Sequence, residues 1–308
     1  MDSRLIARSC PVCAGDIHAE LLRKGDLRLV RCGGCSMVYA NPMEEAMKSG
    51  EFYDHLAPAF YLSPDKLEGD YAPVRFEREL KLFRRFRLSG AVLDVGCSTG
   101  AFLAQLKSRF GTDYEALGVD VAGPALDYAE SKGVPVLRES FLTAGFGGRR
   151  FGAVTFWAVL EHLADPGAYL SRAASVLEPA GFCFILVPNL ESLAVRLLGG
   201  KYRYILPQHL NYFSRATLGR LVKRERQFRL VHSGSSHFNP LVIAQDWRRR
   251  EKAASDTERA RLLKRTTAYK QNPALRPVQL ALAGVEAVLA RLNLADNLVA
   301  VLQKTGSG

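Results

Sequence analysis

Two cysteine pairs stand near the start of the sequence, Cys10-Pro-Val-Cys13 and Cys32-Gly-Gly-Cys35, with 18 residues between them. Each Cys-x-x-Cys turn can aim two sulfurs at one metal ion, and two such turns complete a tetrahedron. The spacing fits a four-thiolate zinc site. Glycines at 33 and 34 ease the second turn. Bound Zn2+ would supply the folding free energy that some forty residues with a small core lack. Four protein ligands leave no open coordination position, so the predicted role is structural. A redox dithiol would need one pair and a thioredoxin-like setting, which is absent.

The second chemical feature is Val92 to Leu103, VLDVGCSTGAFL, an apolar run passing into a glycine-containing turn and a helical pattern. Gly96 and Gly100 let a ligand approach the backbone closely, and the helix start offers free N–H groups. Asp120 ends the next apolar run, 24 residues after Gly96. A carboxylate there can accept from both hydroxyls of a ribose, which points to an adenosine-type cofactor. A dinucleotide turn would want glycines where Ser98 and Ala101 stand. The turn also matches Gly-x-Ser-x-Gly, with Ser98 in the place of a hydrolase nucleophile. Such a turn follows several sheet strands, whereas here only the cysteine segment and one helix precede it.

Positioning these groups needs a scaffold, and the patterning supplies one. Arg75 to Leu88 reads as an amphipathic helix. The runs AVLDV, EALGVD, VPVL, FGAVTFW and FCFILVP then alternate with helical patterns, which predicts an α/β fold. Its sheet is mostly parallel and covered by helices on both faces. Beyond Val187 the reading is a loop-like aromatic stretch from Pro188 to Phe213, a basic helix over Ser214 to Glu225 and a strand over Phe228 to Ser233. A mainly helical insertion at about 239–294 and a final strand at about Asn297 to Gln303 complete seven strands. A rival reading merges the tail with Val278 to Leu292 into one amphipathic helix for membrane or partner contact, but Asp296 and Asn297 interrupt it. The expected organisation is a cysteine-bearing unit at 1–45, a linker with leading helices at 46–88, and the α/β domain at 89–308.

Composition bounds the partners. The formal net charge is +11, and from Arg215 to Arg276 there are 16 Lys and Arg against 5 Asp and Glu, so this segment carries the whole excess. Such a surface could meet RNA, an anionic lipid surface or a phosphorylated substrate, or be a solvated helical face. No apolar run approaches the roughly 20 residues needed to cross a bilayer, and MDSRLIARSCPVC lacks the apolar core of a secretory signal. The expectation is a cytoplasmic chain, with reduced thiols free to bind metal.

VLDVGCSTG followed by GVDVAG resembles the first two motifs of class I S-adenosylmethionine-dependent methyltransferases. The likeness continues through Phe151 to Pro166, Leu177 to Asn189 and Pro207 to Leu218. The cysteine segment resembles the zinc ribbon of a branch that includes sugar C-methyltransferases and enzymes of polysaccharide and secondary-metabolite pathways. The resemblance implies a Rossmann-like, seven-stranded, doubly wound sheet, S-adenosylmethionine as cofactor and a small-molecule acceptor. It implies that Gly96, Cys97, Ser98 and Gly100 line the cofactor, that Asp94 orients the loop or the cofactor's amino group, and that Asp120 holds the ribose with Val121 against the adenine. Ser140 and Phe141 would flank the adenine from the other side, with Ser140 replacing the usual acid and Glu139 beside it. Trp157, Glu161 and His162 would border the meeting place of cofactor and acceptor. Two positions depart from the family pattern: Gly152 stands where Asp is common, and Pro179-Ala180-Gly181 replaces a Pro-Gly-Gly turn.

Methyl transfer from a sulfonium mainly requires alignment of acceptor, methyl carbon and sulfur, and a hydroxyl or carbon acid also needs a base. His209 is the expected base or acceptor-positioning group, against the competing reading of a histidine that only pins its loop. His162 is a second candidate, and Tyr202 and Tyr212 are expected to shape the pocket. An RNA methyltransferase gripping RNA with the ribbon and segment 215–276 is a weaker alternative, because the ribbon lacks clustered basic and exposed aromatic residues beyond Arg23, Lys24, Arg28 and Arg31. A non-catalytic cofactor-binding module is a third.

Overall fold

A computed structural model describes residues 4–49, 60–248 and 255–306. Its centre is one seven-stranded sheet built from β6 (Gly90–Val95), β7 (Tyr114–Asp120), β8 (Val136–Arg138), β9 (Phe151–Trp157), β10 (Leu177–Pro188), β12 (Phe228–Ser236) and β13 (Asn297–Lys304). The spatial order is β12-β13-β10-β9-β6-β7-β8. Strands β8, β7, β6, β9 and β10 run parallel, and β13 runs antiparallel between β10 and β12. The chain's direction of progress across the sheet reverses between β6 and β9. In open α/β sheets, ligands bind in the crevice outside the carboxyl ends of strands at such a reversal.

The local sequence explains the elements. Strands β6 and β9 are almost wholly apolar because helices cover both faces. The helix Glu77–Phe86 turns Leu80 and Phe83 inward, and the Phe83 ring packs 4.8 Å from Phe184 and 6.1 Å from Phe102. Ser214 and Thr217 cap the helix Arg215–Arg224 reciprocally, as Ser255 and Glu258 cap Asp256–Gln271. Gly152 also has a reason: a β-carbon there would lie 2.1 Å from the guanidinium of Arg87, which crosses this position to pair with Glu178 at 3.0 Å.

Two expectations need revision. The stretch 188–213 is not all loop; it holds the helix Leu193–Leu198 and the strand β11 (Asn211–Tyr212). That strand is the edge of a second sheet, order β11-β4-β3-β2, otherwise formed by β2 (His18–Lys24), β3 (Leu27–Cys32) and β4 (Val38–Ala40). The cysteine segment therefore does not stand apart. Its β4 pairs with β11, and Val30, Met37 and Tyr39 share one apolar cluster with Leu160 and Phe213. Long cations add to the join: Lys24 Nζ donates to the Ile205 carbonyl at 2.8 Å, Arg224 to that of Val12 at 3.0 Å, and Arg220 to that of Cys35.

The expected final strand is present: β13 is paired on both sides, so the rival merged tail helix does not form. The insertion before it folds as helices Pro240–Arg248, Asp256–Gln271 and Arg276–Arg291. The first of these is locked to the loop before β11 by a buried ion pair. Arg203 Nη2 meets Asp246 Oδ1 at 2.7 Å, and the Arg203 N–H donates to Oδ2 at 2.9 Å.

The second revision is that a stretch long and apolar enough to cross a membrane, by length and composition, does exist at 273–291, with 6% of it buried. Gln279 and Glu286 break the run when it is read as a line of letters, but they occupy one side of the helix.

The Pro179-Ala180-Gly181 turn places Ala180 at φ +58, the left-handed region that disfavours a β-carbon. Ala180→Gly is expected to raise unfolding free energy by about 0.5–1 kcal/mol, after the greater freedom of glycine in the unfolded chain is deducted. Urea denaturation checks this, and an unchanged or lower midpoint would show that the turn is not strained.

Candidate active site

After β6 the backbone passes through Gly96 (φ +69), Ser98 (φ +49) and Gly100 (φ +73) before the helix Ala101–Phe110. Space as well as conformation requires the glycines. A β-carbon at Gly96 would lie 2.7 Å from Val159 Cγ2, and one at Gly100 would lie 3.0 Å from Ala129 Cβ. Ser98 tolerates the left-handed conformation in a turn pinned from across the crevice, where its N–H donates to Asp120 Oδ2 at 2.8 Å. The other carboxylate oxygen accepts from Val121 and Ala122 N–H at 2.7 and 3.1 Å. Asp120 thus stands at the end of β7, half-buried, directly beside the turn. Val121, next to it, is also half-buried.

The neighbours divide into those that face the crevice and those that support it. Asp94 is buried beneath the turn, where Thr155 Oγ1 donates to its Oδ1 at 2.6 Å. Burial raises its carboxyl to about 7, with the charge of Asp120 adding to the rise and the Thr155 hydrogen bond opposing it. The Cys97 thiol packs toward β7, so that a β-carbon on Gly118 would lie 2.5 Å from its sulfur. Cys97 meets the turn through its backbone. Phe141 is a core residue among Phe146, Phe156 and Tyr169. Ser140 beside it is half-buried and hydrogen-bonds the Tyr169 hydroxyl, while Glu139 is exposed and accepts from Gly145 N–H. The Trp157 ring packs 5.2 Å from Phe102, with its Nε1 buried and unpartnered among the described residues.

Across from the turn, Glu161, His162 and His209 place one ligand atom each within 4.8 Å of one another. Two anchors bring them together. Leu210 N–H donates to the Glu161 carbonyl at 2.7 Å, and Asn211 Nδ2 donates to the Leu160 and Leu163 carbonyls at 2.8 and 2.7 Å. His162 Nδ1 lies 2.8 Å from the Gln208 carbonyl, and the two imidazoles meet edge to face at 4.7 Å. Burial raises Glu161 to about 8 and lowers His162 to about 4. Burial also lowers His209, helped by the charges of His162 and Arg259. At neutral pH the trio is uncharged, and His209 Nδ1 and Glu161 Oε2 are buried without partners among the described residues. The Arg259 charge beside both rings disfavours any further cation there, a metal ion or an imidazolium alike.

The tyrosines sort differently from expectation. Tyr202 is buried in a separate apolar cluster, with its ring edge toward Tyr204. It is Tyr204 that lies parallel to His209, at 6.3 Å. The Tyr212 hydroxyl accepts from Leu206 N–H and donates to the Leu206 carbonyl, which braces the loop. Sequence reasoning also missed the roof over the crevice. Tyr61 packs against Ala122 and Ala125, the Tyr71 hydroxyl donates to the Thr99 carbonyl, and Arg259 lies 4.5 Å from the Phe60 ring centroid. Tyr71 and Arg259 lie on the helices Pro64–Tyr71 and Asp256–Gln271, which are joined by Lys264, paired with Asp65 at 3.1 Å and Glu68 at 2.8 Å. Only the aromatic spacing near residue 60 hinted at this.

At the other end of the chain, the Sγ atoms of Cys10, Cys13, Cys32 and Cys35 lie within 4.8 Å of one another. The contacts Cys10–Cys35 and Cys13–Cys32 are both 3.4 Å, close to the roughly 3.8 Å edge of a tetrahedron with Zn–S bonds of about 2.3 Å. Burial pushes the Cys10 and Cys35 thiols up. At Cys32, burial is outweighed by the Cys35 and Gly34 N–H groups and the neighbouring thiol, which hold it at about 7. Amide donors aimed at sulfur favour thiolates, and this donor set fits Zn2+.

A family profile described as a methyltransferase domain matches residues 70–233, more than half of the chain and excluding both the ribbon and the helical insertion. The chain is 30% identical over 164 residues to a ubiquinone biosynthesis O-methyltransferase of Caulobacter vibrioides, covering 49% of this chain and 64% of that relative. It is 30% identical over 174 residues to the protein of that name from Dinoroseobacter shibae, covering 51% and 67%. The match thus spans just under two-thirds of the first relative. Among solved structures, an S-adenosylmethionine-dependent methyltransferase of Thermotoga maritima, described as a possible histamine N-methyltransferase, aligns with TM-score 0.53 and 14% identity. That alignment covers 84% of this chain and 100% of the other, and it is a likeness of fold.

Asp120→Ala leaves three N–H groups without their acceptor. It is expected to lower unfolding free energy by about 1–3 kcal/mol and to weaken S-adenosylmethionine binding about tenfold or more, whereas Asp120→Asn keeps one oxygen acceptor and most of the stability. Urea titration and calorimetry measure the two effects. Unchanged affinity in folded Asp120→Ala would remove this carboxylate from the cofactor site.

Proposed function

The chain belongs to the methyltransferase-domain family of class I S-adenosylmethionine-dependent enzymes, and from that membership we propose that it methylates a hydroxyl-bearing small molecule, with His209 as the base. The acceptor class fits a sugar nucleotide, a glycan precursor or a secondary metabolite. The observation that carries the reading is the buried His209 Nδ1, unpartnered among the described residues, in one cluster with Glu161 and His162, which follow closely on Val159, the residue packed against Gly96. Relatives named as O-methyltransferases support a hydroxyl acceptor.

S-adenosylmethionine, when bound, supplies a methyl group already activated by a sulfonium. The chain's own task is to hold and deprotonate the acceptor. Asp120 and the turn would seat the nucleoside part, with Tyr61 over it. Tyr204 supports the face of the His209 ring, and the loop anchors at Leu210 and Asn211 fix its direction. A neutral imidazole can take the acceptor's proton on Nδ1. The positive charge that then forms next to Arg259 is offset as Glu161 ionises or passes its own proton outward. The RNA reading loses support because Arg220 and Arg224 bind ribbon carbonyls. Arg23 and Arg28 of the ribbon pair with Glu20.

Zinc enters the same proposal as a support. The four thiolates would hold Zn2+ and fix the ribbon, the ribbon's β4 would hold β11, and β11 would hold His209 in place. No proton passes through the metal.

His209→Gln is expected to lower kcat about a hundredfold or more with cofactor affinity nearly unchanged. Near-normal turnover with intact cofactor binding would leave His209 only its place in the loop. Glu161 is neutral below about 8 and ionised above it, and its charge would stabilise the imidazolium. Turnover is therefore expected to rise through about pH 8, and Glu161→Gln to flatten that rise; a wild-type profile already flat there speaks against the pairing. Metal analysis is expected to find one zinc per chain. Chelation or Cys32→Ser should lower the melting temperature and reduce methyl transfer more than cofactor binding, and a folded, active chain free of zinc would sink the structural metal.

A further inference from the structure

The helix Arg276–Arg291 is inverted for a helix on a protein surface. Its polar side chains face the body: Gln279 Nε2 donates to the Tyr269 and Asn272 carbonyls at 2.8 and 2.9 Å, and Glu286 accepts from His237 N–H at 2.9 Å and pairs with Arg78. Its outward side carries Val278, Leu280, Val285 and Val288, all exposed, with Ala281, Gly284 and Ala287 between them. Leu280 is 69% exposed. Among residues 277–290 the one charged side chain is Glu286, which is turned inward. Arg276 and Arg291 stand exposed at the two ends. An apolar strip of this length facing water marks an interaction surface.

The strip continues. Past the helix end Leu292 is exposed, and Leu193 N–H donates to the Leu294 carbonyl at 2.8 Å. Leu193 borders a shallow groove of about 460 Å³ lined also by Leu197, Phe238, Ile243 and Trp247. Trp247 is 64% exposed. Arg248 ends this groove and also lines a neighbouring cleft of about 450 Å³ together with Arg261 and Arg265. Apolar and basic surfaces thus meet at one arginine. A tryptophan, leucines and a helix of inverted polarity beside arginines are the chemistry of a bilayer interface with anionic headgroups.

We propose that this face docks on an anionic lipid bilayer, with the helix Arg276–Arg291 lying in the interface and Arg248, Arg261 and Arg265 on the headgroups. Charge decides against a second copy of the chain as the occupant, since a two-fold contact would bring the arginines of both copies to one seam. The bonds of Gln279 and Glu286 to the body oppose a spanning arrangement, which would strand both in hydrocarbon. The helix Asp256–Gln271 connects the face to the candidate site, because it directs Arg261 and Arg265 to the cleft and Arg259 toward His162 and His209. The proposal stands independently of which acceptor is methylated.

Full-length protein is mixed with phosphatidylcholine vesicles with or without about one-third phosphatidylglycerol, then sedimented. Trp247 emission is followed with brominated lipid as quencher, and Trp247→Phe identifies its share. Expected are binding to anionic vesicles at low salt, quenching of Trp247, and release as salt rises. At about fivefold per headgroup contact, the double variant Arg261→Glu, Arg265→Glu should bind at least twentyfold more weakly. Leu280→Glu and Val288→Glu should each lose about tenfold or more, with melting temperature and cofactor affinity unchanged to certify the fold. Absence of binding by folded wild type overturns the proposal, as does binding indifferent to Leu280→Glu. A dimer that Leu280→Glu dissolves, without vesicle binding, assigns the face to a second copy, and resistance to alkaline extraction from vesicles assigns it to a spanning helix; either result also overturns it.

Discussion

The pairing of Asn211 and Tyr212 with Tyr39 and Val38 is short, yet the placement of the loop carrying His209 depends on it. Residue 211 is sheet edge and anchor at once. Its backbone extends the ribbon sheet while its side chain donates to the Leu160 and Leu163 carbonyls on either side of Glu161 and His162. The loop carrying His209 is therefore held between two rigid bodies, the ribbon and the end of β9. Arg8 adds to the clamp by reaching both the Ala164 carbonyl and Asn211 Oδ1. A four-cysteine cluster far away in sequence thus bears on where the His209 imidazole stands.

Desolvation is the second constraint. Glu161, His162 and His209 come together where burial keeps all three neutral at ordinary pH. An uncharged base beside an uncharged acid can exchange a proton with little reorganisation, whereas a buried fixed charge would need a permanent partner. Asp120, by contrast, is half-buried and surrounded by backbone N–H donors. The end of β7 therefore carries a hydrogen-bonding carboxylate, while the segment after β9 and the loop before β11 hold an uncharged trio.

The helical insertion serves both faces of the molecule. Inward, Asp256–Gln271 closes the crevice with the leading helix Pro64–Tyr71 and brings Arg259 over Phe60. Outward, the insertion carries the arginines and the apolar strip. The buried pair of Arg203 with Asp246 fastens its first helix to the same loop that ends in His209, so roof, loop and outer face are mechanically one assembly.

The sequence alone determined what depends on near neighbours. Cysteine spacing, the glycine turn, the alternation of strands and helices, the capping serines and the final strand all follow from residues a few positions apart, because turn geometry and side-chain period are local properties. Asp120 was legible for the same reason, as the residue that ends the strand after the turn. Tertiary structure decided the rest. Nothing near Asn211 announces a fourth ribbon strand, since its partners lie at residues 38 and 39. Tyr204 rather than Tyr202 meets His209, and Phe141 turns into the core, because direction within a loop is set by packing from distant elements. The sequence offered an amphipathic helix over Val278 to Leu292 only as a rival reading, and its inverted orientation was decided by the contacts with Tyr269, Asn272, His237 and Arg78 that turn Gln279 and Glu286 inward.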